Sequence, residues 1–351
     1  MNARKILIAN IFLCIIGIMS CTGQKQSNTK KADTIALAPC PVFVSDSAMQ
    51  YVKDQCSFGP RLPESEASAQ CGDYIMEKFE QFGTQVSEQF AEVTVYDGSK
   101  VSARNIIASI NPENPDRILF CAHWDSRPWA DNDPNPDNHM KPVMGANDGA
   151  SGVAVMLEMA RVLQQSPVKL GIDFVCFDVE DMGTPEWAAT EFDSGRETWC
   201  LGSKAWAEAA RNNQYSARYG ILMDMVGGRG CTFSKELISQ EYAGPIVEMV
   251  WKLAGQMGYR HYFPLKDGGY LMDDHVNVNL IAGIPCLDIV PILRKVPATL
   301  VPLGIRWRIR PRTLTPMCSM QWDRLWYNLF ITKTHNDDDK RDTRRDYRGI
   351  L

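Results

Sequence analysis

Four continuous apolar runs stand out in the hydrophobic pattern of this chain. They occupy residues 117–122, 172–177, 220–223 and 284–289. Runs of this length are typical of strands that are buried on both faces of a sheet. Between them, apolar residues recur with a helical period at 155–163 and 246–253. Strands that alternate with helices predict an α/β fold: a single globular domain with a mostly parallel mixed central sheet flanked by helices.

Composition narrows the class of protein without identifying it. The 351 residues are 45% hydrophobic and 23% charged, which excludes wholesale disorder and a fibre. The net charge of -5 gives no electrostatic footprint for nucleic acid, so we expect no nucleic-acid partner.

The N-terminal segment has the pattern of an export signal. Arg4 and Lys5 precede an apolar run over 6–20, which is shorter than the roughly 20 residues that span a bilayer. The run ends Ile18-Met19-Ser20-Cys21 and resembles the lipobox of bacterial lipoproteins, a family in which the cysteine is lipidated. We therefore expect a lipoprotein signal peptide over 1–21, a tether over 22–45, and a cell-envelope protein anchored at Cys21 and facing the periplasm. The alternative is an ordinary signal peptide with a chance cysteine.

The other cysteines give no strong indication of a reactive or metal-binding site. Cys121, Cys176 and Cys286 lie in strand-like runs and are predicted to be core residues. No CxxC pair occurs, which argues against a thiolate zinc site. Export permits disulfides, and Cys56 with Cys71 is a possible pair.

Acidic residues cluster in the segments that follow the predicted strands. They are Asp125 after His123, Asp148 in the Gly-rich segment before a helix, Asp178, Glu180 and Asp181, then Asp224, and finally Asp273 and Asp274 before His275. A single aspartate at a strand end is usually a turn or helix-cap residue. The joint pattern instead favours a ligand site beyond the carboxyl ends of the strands. Carboxylates and imidazoles are typical zinc ligands.

The residues of these motifs and their order along the chain resemble those of a known family. Residues 123–131 read HWDSRPWAD, residues 145–163 read GANDGASGVAVMLEMARVL, and residues 199–203 read WCLGS. Over about 46–290, the predicted catalytic domain, the chain resembles the zinc aminopeptidase-like α/β fold, and within it the bacterial glutaminyl cyclases.

That resemblance implies specific roles. Asp148 and Asp181 would be ligands of one zinc ion, and Glu180 would be the general acid/base. Asp224 and Asp274 would form an acidic relay, and Trp187 would line the substrate pocket, although its spacing from Glu180 differs by one residue from the pattern of the animal enzymes. His123 is a ligand in the two-zinc aminopeptidases but not of the single zinc in cyclases.

The implied reaction converts the N-terminal glutamine of peptides and proteins to pyroglutamate with release of ammonia. The nucleophile is the substrate's own α-amine, so no water needs activation and one metal suffices. Two alternatives stay open. One is a zinc aminopeptidase of the same fold, which activates water with two metals, and the other is a non-catalytic envelope protein.

The segment 291–351 departs from the family pattern. It holds 13 Lys and Arg against 6 Asp and Glu, whereas the other 290 residues hold 24 and 36. The family takes its last zinc ligand from a Trp-His-Thr sequence after the final strand, and none occurs here. In a shifted reading frame, codons 303–306 permit Trp-His-Thr. The hypothesis is a frameshift near codons 291–292, which would impair zinc binding; the alternative is a genuine, divergent C-terminus.

Overall fold

Helices and strands alternate along the chain. In this computed structural model the described residues are 41–189 and 197–292. The helices are α1 (Ser45–Ser57), α2 (Glu66–Gln81), α3 (Ala150–Gln165), α4 (Leu201–Asn212), α5 (Leu237–Gln256) and α6 (Asp274–Leu280). The strands are β1 (Gln85–Thr94), β2 (Lys100–Ile110), β3 (Arg117–His123), β4 (Gly171–Phe177), β5 (Gly220–Met223) and β6 (Cys286–Ile289).

The described strands form one six-stranded mixed sheet. Its order is β1-β2-β4-β3-β5-β6. The four strands β4, β3, β5 and β6 run parallel to one another, whereas β2 pairs antiparallel with both β4 and β1. Every residue of β3, β4, β5 and β6 is buried, as their continuous apolar runs predict. The predicted fold class is confirmed.

The hydrophobic pattern does not predict two of the described strands, β1 and β2. In β1 no residue is fully buried, and β2 only partly alternates between buried and half-buried positions. An edge ribbon with one solvated face carries too weak an apolar signal to be recognised. At the other edge, β6 begins at Cys286 rather than at 284, because Pro285 has no N–H to donate to a neighbouring strand.

Helix α3 packs against the sheet so closely that small residues are needed at its start. A Cβ atom on Gly152 would lie 2.1 Å from the carbonyl oxygen of Met223. Gly149, which immediately precedes the helix, has a φ of 92°, a conformation that favours glycine. A side chain there would also meet the carbonyl oxygen of Asp125 at 2.4 Å. These contacts fix the position of Asp148 at the end of the sheet.

All seven cysteines among the described residues are free and buried. The possible disulfide between Cys56 and Cys71 is therefore wrong: both side chains are inert core thiols. Cys121, Cys176 and Cys286 are fully buried, as expected for strand residues. Within the described ranges, no helix has both the length and the apolar character to cross a membrane. The predicted signal peptide, nearly all of the tether, and the segment 291–351 from residue 293 onward lie outside the described residues.

Candidate active site

His123, the last residue of β3, is surrounded by carboxylates. Its Nε2 lies 3.0 Å from Oδ1 of Asp148 and 3.2 Å from Oδ1 of Asp224. Its Nδ1 lies 3.2 Å from Oδ1 of Asp125 and 3.8 Å from Oε2 of Glu180. Burial opposes the charged imidazole, but the hydrogen bonds with the aspartates outweigh burial and raise the pKa of His123 well above its ordinary value.

Asp125 holds the loop that carries the central acidic pair. Its side chain is fully buried and accepts hydrogen bonds from the backbone N–H groups of Glu180, at 3.2 Å, and Asp181, at 3.1 Å. Val179, which precedes Glu180, has a φ of 54°, and this is unusual for a residue with a β-branched side chain. Two backbone hydrogen bonds to one carboxylate thus stabilise a strained turn that presents both side chains to the site.

Asp148 and Asp181 are the predicted metal ligands, and Asp148 lies close enough to Asp181 for its charge to act on that carboxylate. The convergent donor group around Asp148 in the described residues does not include Asp181. Burial first, and then the charge of Asp148, raise the pKa of Asp181 well above its ordinary value, while Arg127 opposes the rise. Two carboxylates that repel each other in a buried site are stabilised by a cation between them. A ring nitrogen of His123 and one carboxylate oxygen each of Asp148 and Asp224 converge, with all three atoms within 4.8 Å of one another. This donor set fits zinc.

Glu180, the predicted acid/base, points into a second group of side chains. Its carboxylate, Sγ of Cys200 and a carboxylate oxygen of Asp273 lie within 4.8 Å of one another. Oε1 of Glu180 accepts a hydrogen bond from Sγ of Cys200 at 3.4 Å. Burial is the main cause of a pKa of Glu180 well above its ordinary value; His123 opposes it, and Asp181 and Asp273 add to it. A carboxylate of this kind can both take and return a proton.

The predicted relay residues lie beside this group, and their pKa values are also raised. Burial and then Asp148 raise the pKa of Asp224, against the hydrogen bond from His123. Burial and then Asp224 raise the pKa of Asp273 to about 7. Burial and then Asp273 raise the pKa of Asp274, which is fully buried at the start of α6. These carboxylates interact strongly, so they share protons as a set.

Trp187 lies at the rim of the site, in a short 3-10 turn over residues 186–188. Its side chain is 43% exposed and packs edge to face on Trp129, with ring centroids 5.8 Å apart. Trp129 packs in the same way on Tyr96 at 5.3 Å. The predicted pocket residue is therefore one member of a row of three aromatic rings.

Sequence reasoning missed three contributors. The sequence motifs contain Asp125, Cys200 and Asp273 but indicate a role for none of them. The structure places Asp273, which caps α6 by accepting from the N–H of Asp274 at 2.6 Å, in the Glu180 group. The signal for Asp273 was its place before a helix. No pattern in the sequence relates Cys200 to a residue twenty positions earlier.

The second histidine of the motif set has different neighbours. Nε2 of His275, which is fully buried, lies 3.3 Å from Oε2 of Glu236, and Nδ1 lies 3.9 Å from Oδ2 of Asp288. Burial works against ionisation of Glu236, yet the hydrogen bond with His275 and those from the start of α5 lower its pKa to about 2. His275 thus lies in a buried group with Glu236 and Asp288, in the first turn of α6. The segment in which the family carries its last zinc ligand lies outside the described residues.

A model of peptidase family M28 matches residues 105–340 of the chain. Among solved structures, glutaminyl cyclase from Bacteroides thetaiotaomicron is 41% identical with a TM-score of 0.77, covering 83% of this chain and 99% of that chain. A Zn-dependent exopeptidase from Parabacteroides distasonis is also 41% identical with a TM-score of 0.77, covering 84% and 99%. A leucine aminopeptidase precursor from B. thetaiotaomicron is 41% identical with a TM-score of 0.74, covering 84% and 99%.

Matches to curated proteins are shorter. The chain spans less than half of the length of three curated bacterial relatives, among them "Aminopeptidase YwaD" of Bacillus subtilis, which is 39% identical over 85 residues, 23% of this chain and 16% of that protein. The predicted resemblance to bacterial glutaminyl cyclases within the zinc aminopeptidase-like superfamily is confirmed. Zinc is the metal that these relatives and the donor set indicate.

Proposed function

The chain belongs to peptidase family M28, and from that premise we propose that it is a zinc-dependent glutaminyl cyclase. In this proposal the substrate is a peptide or protein with an N-terminal glutamine. The products are a pyroglutamyl N-terminus and ammonia. The enzyme is thus a glutaminyl-peptide cyclotransferase, an acyltransferase in which the acceptor amine belongs to the substrate itself.

One observation carries the proposal: Glu180 lies beside buried carboxylates, and its pKa and theirs are raised. Its side chain is within 4.8 Å of Asp273, and the charge of Asp224 in turn helps to raise the pKa of Asp273 to about 7. Cyclisation needs one group that removes a proton from an amine and returns it to a leaving nitrogen. A carboxylate with a raised pKa beside other titrating carboxylates is suited to both steps.

The residues of the chain then have the following tasks. Glu180 takes a proton from the α-amine of the bound glutamine, whose nitrogen forms a bond to the side-chain amide carbon. Glu180 returns the proton to the amide nitrogen, the carbon–nitrogen bond breaks, and ammonia leaves. Asp273 and Asp274 stabilise the protonated state of Glu180, because a negative charge on either disfavours a further ionised carboxylate nearby, and Asp224 acts in the same way on Asp273.

Asp148 and Asp181 would hold one zinc ion. The chemistry that zinc supplies when bound is polarisation of the γ-carbonyl group and stabilisation of the negative charge that develops on its oxygen. His123 keeps the surrounding aspartates in place through hydrogen bonds on both ring nitrogens. Trp187 would cover the glutamine side chain from the rim of the site.

A two-zinc aminopeptidase is the alternative, and one observation favours it. His123, Asp148 and Asp224 converge within 4.8 Å, so the described residues offer a second group of donors around Asp148. With a second metal on this group, water becomes the nucleophile and a free N-terminal amino acid becomes the product.

Product analysis separates the two functions. The purified, zinc-supplemented chain is incubated with Gln-peptides and, separately, with Leu-peptides of otherwise identical sequence. The cyclase releases ammonia, lowers the mass of the Gln-peptide by that of one ammonia molecule, and frees no leucine. Release of free leucine without ammonia would overturn the cyclase proposal and support the aminopeptidase.

We further propose that the protein is attached to the cell envelope through a lipid on Cys21, with its catalytic domain in the periplasm. The basic residues, the short apolar run and the cysteine that follows it support this. The test is mass spectrometry of the mature N-terminus, with Cys21→Ser as the matched variant. A mature chain cleaved elsewhere and without lipid would contradict the anchor.

The segment 291–351 is proposed to arise from a shifted reading frame. Two features support this. The segment holds 13 basic residues but only 6 acidic ones, and it lacks a Trp-His-Thr sequence. Sequencing of codons 288–336 tests it, because an intact frame whose codons do not read Trp-His-Thr in the shifted frame would refute the shift. A restored C-terminus is expected to bind zinc more tightly, since it regains a histidine ligand.

A further inference from the structure

Arg127 is a buried cation that contacts the loop of the predicted metal ligand. Only 5% of its side chain is exposed. Its Nε and Nη2 donate to the two carboxylate oxygens of Asp131, at 2.7 and 2.5 Å. Its Nη1 donates to the backbone oxygen of Asp181 at 3.2 Å and lies 3.4 Å from Oδ1 of the same residue. The guanidinium therefore bridges two carboxylates, one of which is a predicted zinc ligand.

Asp131 extends this connection to the aromatic rim. Its Oδ2, already bonded to Arg127, also accepts a hydrogen bond from the backbone N–H of Glu186 at 3.1 Å. Glu186 begins the 3-10 turn that carries Trp187. Two hydrogen bonds in series thus join the guanidinium to the turn that sets the orientation of Trp187.

Aromatic rings enclose the same guanidinium. Its central carbon lies 4.6 Å from the ring centroid of Trp199 and 5.5 Å from that of Trp129. Trp199 in turn covers Gly183, where a Cβ atom would lie 1.9 Å from the indole ring. A planar cation with five donors can bond and stack in this way at once, which a lysine ammonium cannot.

From these contacts we propose that Arg127 is a positioning residue that sets the metal ligand Asp181 and the aromatic rim at Trp187 together. Zinc affinity and substrate binding then depend on one ion pair, Arg127–Asp131, that touches neither the metal nor the substrate. The inferred effect on substrate binding rests on the proposed function, whereas the inferred effect on zinc binding does not.

The test compares Arg127→Lys with a matched control, Arg117→Lys, in the full chain. Arg117 is also a buried arginine, and it bonds both oxygens of Asp173, at 2.5 and 2.6 Å, but it lies at the first residue of β3, the opposite end of the strand from His123. Three quantities are measured: zinc affinity by competition with a chelator, hydrogen exchange of the amides of 181–189, and KM with kcat for a Gln-peptide.

We expect Arg127→Lys to weaken zinc binding by about 10–100-fold, the usual effect of changing a residue that orients a ligand. Amides of 181–189 should exchange faster, and KM should rise more than kcat falls. Arg117→Lys should lower stability while leaving zinc affinity and exchange in 181–189 as in the parent. Asp131→Asn should reproduce the Arg127→Lys pattern.

Equal zinc affinity in Arg127→Lys and the parent, or the same loss in Arg117→Lys, would overturn the positioning role. A parent chain that binds zinc but releases no ammonia would contradict the proposed function and leave the zinc and exchange comparison intact. A parent chain that binds no zinc would contradict the inferred effect of Arg127 on zinc binding. If exchange of the amides of 181–189 were then the same in Arg127→Lys and in the parent, the inferred effect on the aromatic rim would be overturned as well.

Discussion

Cys200 and Glu180 are joined by two hydrogen bonds. The thiol Sγ lies 3.4 Å from Oε1 of the glutamate, and the backbone N–H of Cys200 donates to the carbonyl oxygen of Glu180 at 3.0 Å. Burial first, and then the charge of Glu180, raise the pKa of the thiol well above its ordinary value. Cys200 is therefore a neutral donor that orients the carboxylate.

Removal of the thiol should reduce the rate without abolishing it. Cys200→Ala leaves Oε1 of Glu180 without its donor, and a hydrogen bond to a carboxylate is worth about 1 kcal/mol or more, so we expect kcat to fall by roughly 5–10-fold. Cys200→Ser keeps an O–H donor and should restore most of the rate. The measurement is the initial rate of ammonia release. Equal loss in both variants would show that size, and not the donor, matters at this position.

Loss of the carboxylate itself should be far more damaging. Glu180→Gln keeps the shape of the side chain but cannot carry the proton, so we expect kcat for ammonia release to fall by roughly 10²–10⁴-fold. Zinc content should stay at the parent level. The control is Glu208→Gln, an exposed glutamate on α4. A Glu180→Gln rate within tenfold of the parent would assign the proton transfer to another group.

The metal-free protein should lose stability as pH rises from about 4 to about 8. Burial raises the folded pKa of Asp273 from 3.8 to about 7 and that of Asp178 to about 8. The folded state therefore binds protons that the unfolded state has released, and the free energy of unfolding falls with pH over this window. The raised pKa of His123 acts in the same direction, because its stabilising charge is lost on the alkaline side.

Thermal unfolding of the metal-free chain at pH 5 and pH 8 measures this effect. Glu236, with a pKa lowered to about 2, contributes equally at both values and does not mask it. Added zinc should raise the Tm more at pH 8 than at pH 5, because carboxylates bind the metal in their ionised form. A metal-free Tm that rises between pH 5 and pH 8 would contradict the raised pKa values.

The parallel strands and the place of the site could be predicted because both depend on local patterns. Buried parallel strands give continuous apolar runs, and the ends of such strands meet at one edge of the sheet. Asp148, Glu180 and Asp224 each follow a strand or precede a helix, and all three come within 4 Å of His123. The half-exposed β1 and β2 lack such a run, so the pattern does not predict them.

The contacts between side chains could not be predicted from order along the chain. Asp125 reaches the backbone N–H groups of Glu180 and Asp181, over a separation of 55 and 56 residues. The choice between Asp273 and Asp274 depends on where α6 begins, since the capping residue faces the site and its neighbour enters the helix. Both depend on tertiary packing, which no periodicity encodes.

Truncation of the rim tryptophan should affect substrate binding more than stability. Trp187→Ala removes a ring that is 43% exposed and that packs on Trp129. An aromatic contact contributes about 0.5–1.5 kcal/mol, so we expect KM for a Gln-peptide to rise by about 2- to 10-fold with the Tm nearly unchanged. The control is Phe90→Ala, a 63% exposed ring on the edge strand β1. Equal KM values in parent and Trp187→Ala would place the substrate elsewhere.

Metal content decides between one-metal and two-metal chemistry through His123. In a cyclase, His123 bonds to aspartates and is not a ligand, so parent and His123→Asn should each hold one zinc ion per chain at saturation. In a two-zinc aminopeptidase the parent holds two ions and His123→Asn loses one, because the imidazole is a ligand of the second. Elemental analysis of the zinc-saturated, desalted proteins measures the ratio.

The matched variant for that measurement is Asp181→Asn. Asp181 is a predicted ligand of the single zinc, so its loss should weaken zinc binding by more than the roughly 10–100-fold that follows changes in residues behind a ligand. His123→Asn should weaken binding by less, because the imidazole acts only by holding Asp148, at 3.0 Å, and Asp224, at 3.2 Å. If His123→Asn instead loses as much zinc as Asp181→Asn, the imidazole is a ligand and the one-metal cyclase site is the wrong description.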